Sequence, residues 1–245
     1  MQSPADGYTL ATVSQGLLDV NPAIYERLPY DPVRDFVPIV MMVRFPLFLI
    51  THPSLPVQTG AEFLEYVRQR PGVVTYSSGG VANGGHLAAV LFTNLTGTRM
   101  IHVPYRGTGP ATLAVVTGEV QSSFSAGGPS LFEHVRDGRL NMLGVAEAER
   151  IPSLPSIPTV AEAGVPGFEA ASWLGIMARS GTPQTVVDKV NQDVQAFLRL
   201  PEVSASLARD GFVNSPAGPQ AFTSFIAGET LKWSSLVRSA GIRVE

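Results

Sequence analysis

Short apolar runs alternate with helical stretches along most of the chain, and this alternation constrains the fold more than any other feature of the sequence. The 24 glycines and 20 prolines lie between these segments and mark tight loops. Alternating strands and helices are typical of largely parallel sheets with helices on both faces. The sequence therefore predicts an α/β protein.

The predicted elements follow from apolar periodicity and from the positions of glycine and proline. Strands are predicted at 8–14, 36–43, 45–51, 73–76, 100–103, 120–124, 142–145 and 171–178. Helices are predicted at 60–70, 86–95, 110–117, 129–137, 159–163, 184–199 and 219–239. Helix 184–199 has the clearest start, because Thr182 is a candidate cap and Pro183 suits a first turn.

Two apolar, extended segments, 45–51 and 171–178, bracket a long stretch of regular strand–helix pattern. Such a pair is typical of strands that cross between two lobes. Residues 1–48 and 175–245 would then form lobe 1, and residues 49–174 would form lobe 2. One continuous sheet is the alternative that the pattern leaves open.

Composition narrows the classes of function. The chain has 17 basic and 20 acidic residues and no basic stripe, which argues against nucleic acid as a partner. It has no cysteine, and its apolar runs are too short to span a bilayer. Its four histidines lack metal-ligand spacing, and no Gly-x-Ser-x-Gly motif occurs. The sequence therefore predicts no catalytic residue, no cofactor and no metal.

The most informative segment is the glycine-rich loop 77–86, between a strand and an apolar helix. Its glycines allow the backbone to approach a ligand, and the free N–H groups of a helix start favour an anion. Ser78 and Asn83 could add a hydroxyl and an amide. The spacing matches neither a P-loop nor a dinucleotide fingerprint, and simple turn geometry is the competing interpretation.

Three further loops also follow predicted strands. They are 104–110, with Tyr105, Gly107 and Thr108; 125–128, with Ser125; and 14–16, with Ser14 and Gln15. Arg106 could pair with a carboxylate, although an exposed arginine is more often only solvated. Ligands of open α/β sheets bind beyond the carboxyl ends of the strands, where all four loops are expected. Together they predict a cleft lined by strand-end loops that favours a small anion.

Several motifs in the same order resemble those of the Bug family, the periplasmic substrate-binding components of tripartite tricarboxylate transporters. The motifs include Asp6-Gly7-Tyr8-Thr9-Leu10, Leu28-Pro29-Tyr30-Asp31-Pro32, Ser77-Ser78-Gly79-Gly80, His102-Val103-Pro104-Tyr105-Arg106-Gly107, Ile157-Pro158-Thr159-Val160 and Ala240-Gly241-Ile242. The resemblance extends over essentially the whole chain.

This resemblance implies a type II periplasmic-binding-protein fold, with three-layer lobes joined by two crossing strands and closing by a hinge motion. It implies a non-catalytic periplasmic receptor that holds an organic acid, or an amino acid, and delivers it to membrane transporter subunits. Presentation of the closed form to a sensor protein is an alternative, and an enzyme acting on carboxylates is a more distant one. The implied ligand-binding residues are Ser14, Gln15, Ser78, Gly79, Gly80, Asn83, His86, Tyr105, Gly107, Thr108 and Ser125.

Two departures from the family pattern carry expectations of their own. Ser125 stands where the family often has Asp, which favours a plain carboxylic acid over an amino acid. The family also has a signal peptide and a strand–helix–strand unit before the Asp6-Gly7-Tyr8 motif, and this chain shows neither. The resemblance thus implies an incomplete lobe 1 with an exposed sheet edge, and a truncated chain with impaired binding is a further alternative.

Overall fold

The computed structural model describes residues 3–242, which divide into two compact units. Unit 2 consists of Phe45–Ala171 and Arg209–Gly211, and unit 1 contains the remaining described residues. The main junctions lie at 44/45 and 171/172, where the sequence places them at 48/49 and 174/175. The segment 209–211, assigned from sequence to lobe 1, belongs to unit 2, where Gly211 packs against the ring of Phe132.

Nine strands and eight helices form within the described residues. The strands are β1 Leu10–Ser14, β2 Phe36–Phe45, β3 Leu47–Thr51, β4 Thr75–Ser78, β5 Ile101–Pro104, β6 Ser122–Ala126, β7 Asn141–Val145, β8 Ser172–Arg179 and β9 Val213–Ala217. The helices are α1 Asn21–Ile24, α2 Gly60–Arg68, α3 Gly84–Thr96, α4 Thr108–Val116, α5 Pro129–Arg136, α6 Gln184–Leu198, α7 Pro201–Arg209 and α8 Pro219–Ser239. A π-helical turn, Gly16–Val20, leads into α1. The α/β class is therefore confirmed.

The sheet of unit 2 has the strand order β5-β4-β6-β3-β7. β4 pairs in parallel with β5 and β6, whereas β3 is antiparallel to both β6 and β7. Since β3 is antiparallel to both of its neighbours, β4, β5, β6 and β7 all run in one direction; the expectation of a largely parallel sheet fails only at β3, which makes the sheet mixed. Every residue of β3 is buried, and a continuous apolar run shows that a strand is central without showing which way it runs.

The sheet of unit 1 has the order β1-β8-β2-β9, with β1 antiparallel to β8 and β2 antiparallel to β9. Sequence patterning missed β9 because Pro216 and neighbouring polar residues interrupt its apolar pattern. Proline is tolerated there because β9 lies at an edge of the sheet, where one row of N–H groups has no strand to pair with.

Two local expectations are wrong, and one helix is missing from the prediction. Residues 159–163 form a turn: Thr159 and Glu162 exchange cap-like hydrogen bonds, but Gly164 at φ +99° ends the segment. Helix α7 was not expected. Thr182 does not cap α6, because its hydroxyl donates to the carbonyl of Arg179 at 2.8 Å.

Aromatic side chains fill both cores. In unit 1, Trp173 packs edge-on against Phe222 at a centroid distance of 5.3 Å. In unit 2, Phe92 contacts Phe124 and Phe168 at 6.0 and 6.2 Å. No helix formed by residues 3–242 is both long and apolar enough to cross a lipid bilayer.

A carboxylic acid, Asp19, is fully buried in unit 1 at the π-helical turn. It accepts hydrogen bonds from the indole of Trp173 at 3.2 Å and from the hydroxyl of Thr230 at 2.8 Å. Burial raises the pKa of Asp19 to about 7, and the nearby Glu229 adds to the rise. Folding therefore favours the protonated form of this side chain.

Between pH 3.8 and about 7 the folded protein should hold a proton on Asp19 that the unfolded chain releases. The free energy of unfolding should consequently fall as the pH rises through this window. We expect Asp19→Asn, whose amide can still pair with Trp173 and Thr230, to be more stable than the parent above this window by about 1 kcal/mol or more. Urea unfolding at both ends of the window measures this difference.

The matched control is Asp188→Asn, an exposed acid on α6. This variant should show the same change in the free energy of unfolding between the two pH values as the parent. Equal pH dependence in the Asp19→Asn variant and the parent would contradict the assignment.

Candidate ligand-binding site

In unit 2, the carboxyl ends of β4, β5 and β6 meet at one edge of the sheet because these three strands run in the same direction. Each strand is followed by a short loop and a helix, which places the starts of α3, α4 and α5 at this edge. The first N–H groups of a helix have no partner within the helix, and they carry partial positive charge. Three such starts at one edge form a site that favours an anion.

The three helices have no acidic residue in their first turns. Helix α2 provides an internal contrast, because Glu62 closes a capping box with Thr59 and supplies a negative charge at its start. Since β3 is antiparallel to β6, α2 begins at the opposite edge of the sheet. Unneutralised helix starts are therefore found at the edge formed by β4, β5 and β6.

The loop 79–83 is held by its own side chains. The Ser78 hydroxyl donates to the carbonyl of Gly80 at 2.9 Å and accepts from the Gly80 N–H at 3.3 Å. The Asn83 side chain caps α3 by accepting from the N–H of Gly85 at 3.0 Å. Ala82 has a φ of +60°, a conformation that costs a residue with a Cβ about 1 kcal/mol.

This loop lies directly against the start of α4. The N–H of Gly107 donates to the carbonyl of Gly79 at 3.2 Å, and that of Tyr105 to the carbonyl of Ser78 at 2.9 Å. A Cβ on Gly79 would come within 3.0 Å of the Gly107 carbonyl carbon and the Thr108 nitrogen. Glycine is required at 79 because the two loops approach so closely.

Ser125, at the end of β6, is buried and contacts α4 through its side chain. Its Oγ lies 2.7 Å from Oγ1 of Thr112. The space at the start of α3 is equally tight, since a Cβ on Gly85 would come within 2.5 Å of the carbonyl oxygen of Phe124. A neutral hydroxyl pair therefore occupies the position beside the three helix starts.

Two imidazole side chains, those of His86 and His102, contact the loop 79–83 and the adjacent Ser78. Nδ1 of His86 accepts from the Ala82 N–H at 3.0 Å, and Nε2 of His102 lies 2.7 Å from the Ser78 hydroxyl. The two rings stack at 4.1 Å, and Tyr76 stacks on His102 at 4.9 Å. Burial, reinforced by His102, lowers the pKa of His86 to about 4, and burial also lowers the pKa of His102. Both rings are therefore neutral near pH 7.

His102 is not among the ligand-binding residues predicted from the sequence, although it lies in the predicted strand 100–103. The available signal was its position in β5, two residues before a loop assigned to the site. What that signal lacked was the register that pairs His102 with Tyr76 on β4.

The structure brings together most of the predicted site residues, namely Ser78, Gly79, Gly80, Asn83, His86, Gly107, Thr108 and Ser125. Tyr105 joins them through its backbone, but its hydroxyl donates to Glu119 at 2.9 Å, near the start of β6. Ser14 and Gln15 belong to unit 1, at the end of β1. The Gln15 side chain is buried, and its Nε2 has no hydrogen-bond acceptor among residues 3–242.

A depression of about 480 Å³ lies elsewhere, on unit 1, between residues 22 and 34. Its charged lining residues are Glu26, Asp31 and Arg34, and the two acids disfavour an anion, so we place the candidate site at the strand ends. In the described part of the chain, no cluster of three or more His, Asp or Glu side chains is arranged to bind a metal ion.

Comparison with protein families gives a match to the tripartite tricarboxylate transporter family receptor over residues 1–242. The chain belongs to this family of receptors. BugT of Bordetella pertussis is 31% identical over 245 residues, a match that covers 100% of this chain and 75% of BugT. Because the family and its solved members are receptors, the expectation of a non-catalytic protein is confirmed.

Solved structures of the family superpose closely. A Rhodopseudomonas palustris protein solved with adipate is 34% identical, with a TM-score of 0.87, and the match covers 99% of this chain and 81% of that one. MatC from the same organism, solved with bound malate, is 27% identical, with a TM-score of 0.79 over 96% of this chain and 81% of that one. The periplasmic binding protein BugD is 26% identical, with a TM-score of 0.82 over 100% and 82%. The periplasmic-binding-protein fold is thus confirmed.

We expect Gly79→Ala to push the loop 79–83 away from the start of α4 and to cost about 1–3 kcal/mol through overpacking. Thermal unfolding should show a melting temperature lower by several degrees. The control is Gly109→Ala, on α4, where a Cβ meets open space and should leave stability unchanged or slightly higher. Equal melting temperatures for the two variants would show that the two loops are not in close contact.

Proposed function

We propose that this receptor binds a small organic acid in the periplasm and that one carboxylate of the ligand lies at the helix starts of α3, α4 and α5. The observation that carries the proposal is the convergence of three helix N-termini without acidic residues at one sheet edge. Backbone N–H groups there supply both hydrogen bonds and positive potential. A bound carboxylate needs both the hydrogen bonds and the positive potential, because its full negative charge loses contact with water.

The side chains at this edge suit an anion that carries no positive group. The Ser78 hydroxyl is engaged by Gly80 and His102, whereas Asn83 and Thr108 offer an amide and a hydroxyl, and the buried Ser125 is neutral. An amino acid would bring an ammonium group, which needs a carboxylate partner when it is desolvated. The hydroxyl of Ser125 therefore supports a plain carboxylic acid as the ligand.

The solved relatives support the same ligand class. The structures with adipate and with malate both hold dicarboxylates, and the proteins are 34% and 27% identical to this chain. We therefore propose dicarboxylates as the first class of acid to test as ligands of this receptor. Delivery to the membrane subunits of a transporter is proposed from the family description, and periplasmic location from relatives such as BugD.

Gln15 and Ser14 form a second part of the proposal. The Nε2 of Gln15 is a buried donor without an acceptor in the described residues, and such a group costs about 1–3 kcal/mol unless a ligand or water satisfies it. A ligand oxygen would remove this cost. This supports a role for the end of β1 in binding.

The test combines a ligand panel with a charge variant. Adipate, malate, a tricarboxylate and an amino acid are compared by thermal shift and titration calorimetry, and we expect a dicarboxylate to raise the melting temperature. Asn83→Asp keeps the cap on Gly85 but adds a negative charge at the start of α3. It should weaken binding by about tenfold or more, because the added charge repels the carboxylate.

Gln58→Glu is the matched control for that variant. It adds the same charge beside the start of α2, at the opposite edge of the sheet, and should leave affinity unchanged. Equal losses in the two variants would mean that only the overall charge matters. If the parent binds an acid and the Asn83→Asp variant binds it with the same affinity, the carboxylate site does not lie at the start of α3.

Ser125→Asp tests the ligand class separately. We expect it to lower dicarboxylate affinity by about tenfold and to raise the affinity for an amino acid relative to the parent, because a buried carboxylate pairs with an ammonium group. Ser125→Ala removes the hydroxyl without adding charge and serves as the control. Calorimetry with malate and with aspartate measures both effects, and a parallel loss for both ligands in Ser125→Asp would refute the assignment.

A further inference from the structure

We propose that His86 and His102 are positioning residues for this site: the neutral, stacked pair holds the loop 79–83 in the shape that receives the carboxylate, and a proton on His86 loosens the loop and weakens binding. The inference rests on the proposed function, since it concerns the same loop. Protonation of His86 would make ligand binding by this receptor depend on pH.

Hydrogen-bond geometry determines where the protons sit. The Ala82 N–H donates to Nδ1 of His86, so that nitrogen must be unprotonated and the proton of the neutral ring is on Nε2. The Ser78 hydroxyl has one proton, which it donates to the carbonyl of Gly80. Nε2–H of His102 must therefore donate to Ser78 Oγ, which also accepts from the Gly80 N–H. In this arrangement each contact joins one donor to one acceptor.

The loop needs this support because its backbone is strained. Ala82 has a φ of +60°, in the left-handed region that costs a residue with a Cβ about 1 kcal/mol. The bond from the Ala82 N–H to His86 is the contact that offsets this cost. Ser78 holds the other end of the loop through Gly80, and His102 orients Ser78. The two imidazoles thus support opposite ends of one loop.

The surroundings of His86 disfavour a positive charge. Helix α3 has no Asp, Glu, Lys or Arg, and the titratable groups that face the ring from neighbouring strands are Tyr76 on β4 and His102 on β5. The strands β3 and β6, which also pack against α3, carry no titratable side chain. His86 is also the third residue of α3, where the helix dipole opposes a cation. Among residues 3–242, the groups that face His86 include no carboxylate to compensate an imidazolium.

Protonation acts on the two rings differently. A proton on Nδ1 of His86 turns an acceptor into a donor facing the Ala82 N–H, so that hydrogen bond is lost. His102 keeps its Nε2–H bond to Ser78 whether it is neutral or charged. His86 is therefore the group whose protonation releases the loop.

The direction of the pH effect follows from burial. The pKa of His86 is lowered from its ordinary 6.5 to about 4, so the folded loop excludes a proton that a freely exposed ring would take up. The stabilisation of the loop is complete above pH 6.5 and is lost as the pH falls through about 4. Affinity for the carboxylate should fall in the same window.

The first experiment needs no ligand. In the ligand-free protein, NMR titration follows the ring signals of His86 and the amide signal of Ala82. We expect neutral His86 to carry its proton on Nε2, and both signals to move together with a midpoint well below 6.5. A His86 midpoint near 6.5, or an Ala82 amide that does not follow the ring, would overturn the inference.

The second experiment uses adipate and malate as probes. His86→Asn offers an oxygen near the place of Nδ1 that does not take up a proton, whereas His86→Phe keeps a stacking ring without an acceptor. Near neutral pH we expect His86→Asn to bind within about threefold of the parent and His86→Phe at least about tenfold more weakly. Towards pH 4 the parent should lose more affinity than His86→Asn. The carboxyl groups of adipate and malate also titrate in this range, but this affects the parent and all variants equally because they are measured in the same buffers.

His102→Gln keeps an N–H donor near the place of Nε2 and should bind adipate and malate as tightly as the parent. His102→Phe has no such donor and should bind them more weakly. Near-UV circular dichroism verifies that each variant is folded. If a Phe variant does not fold, the pH dependence of binding by His86→Asn tests the positioning role instead. Binding by His86→Phe equal to that of the parent, or identical pH profiles for the parent and His86→Asn, would refute the positioning role. If no acid binds to any variant, the proposed function fails, and the ligand-free NMR titration still decides the inference on its own.

Discussion

The parallel pairing of β4 with β5 and β6 is the arrangement on which the candidate site depends. Parallel strands end at the same edge, so the helices that follow them must begin there. Each helix start contributes unpaired N–H groups and partial positive charge, and all three lie at this one edge. Antiparallel β3 sends α2 and its Glu62 to the other edge, so that carboxylate lies away from the helix starts.

Close packing converts this edge into a site with a defined shape. Gly79 and Gly85 occupy positions where a Cβ would meet backbone atoms of Thr108 and Phe124. The loops are therefore held against each other by contact and by the hydrogen bonds of Ser78 and Asn83. A preorganised site of this kind binds without having to order its loops, which would otherwise reduce affinity.

The two units respond to pH in opposite directions. In unit 1 burial raises the pKa of Asp19, and in unit 2 burial lowers the pKa of His86. Both side chains are neutral when buried, so raising the pH opposes folding at Asp19 and favours it at His86. The difference matters for function because only His86 contacts the loop of the candidate site.

Much of the fold could be predicted from sequence, and the failures have physical causes. Helix α8 was predicted with both of its ends correct, because Pro219 and a long amphipathic pattern define it locally. Strand β9 was missed because an edge position tolerates Pro216. The reciprocal caps of Thr159 and Glu162 resembled a helix start, but Gly164 stops the turn.

By itself, the sequence determined the α/β class and the glycine-rich loops that follow strands, because local periodicity and turn residues encode these features. The family followed from the resemblance of its ordered motifs. Only the tertiary structure decided the direction of β3, the buried environment of Asp19 and the stacking of His102 on His86. These features depend on strand register between distant segments, which no local pattern specifies. The carboxylate site could thus be anticipated from its loops, whereas the imidazole pair that supports it became visible only once β4 and β5 were paired.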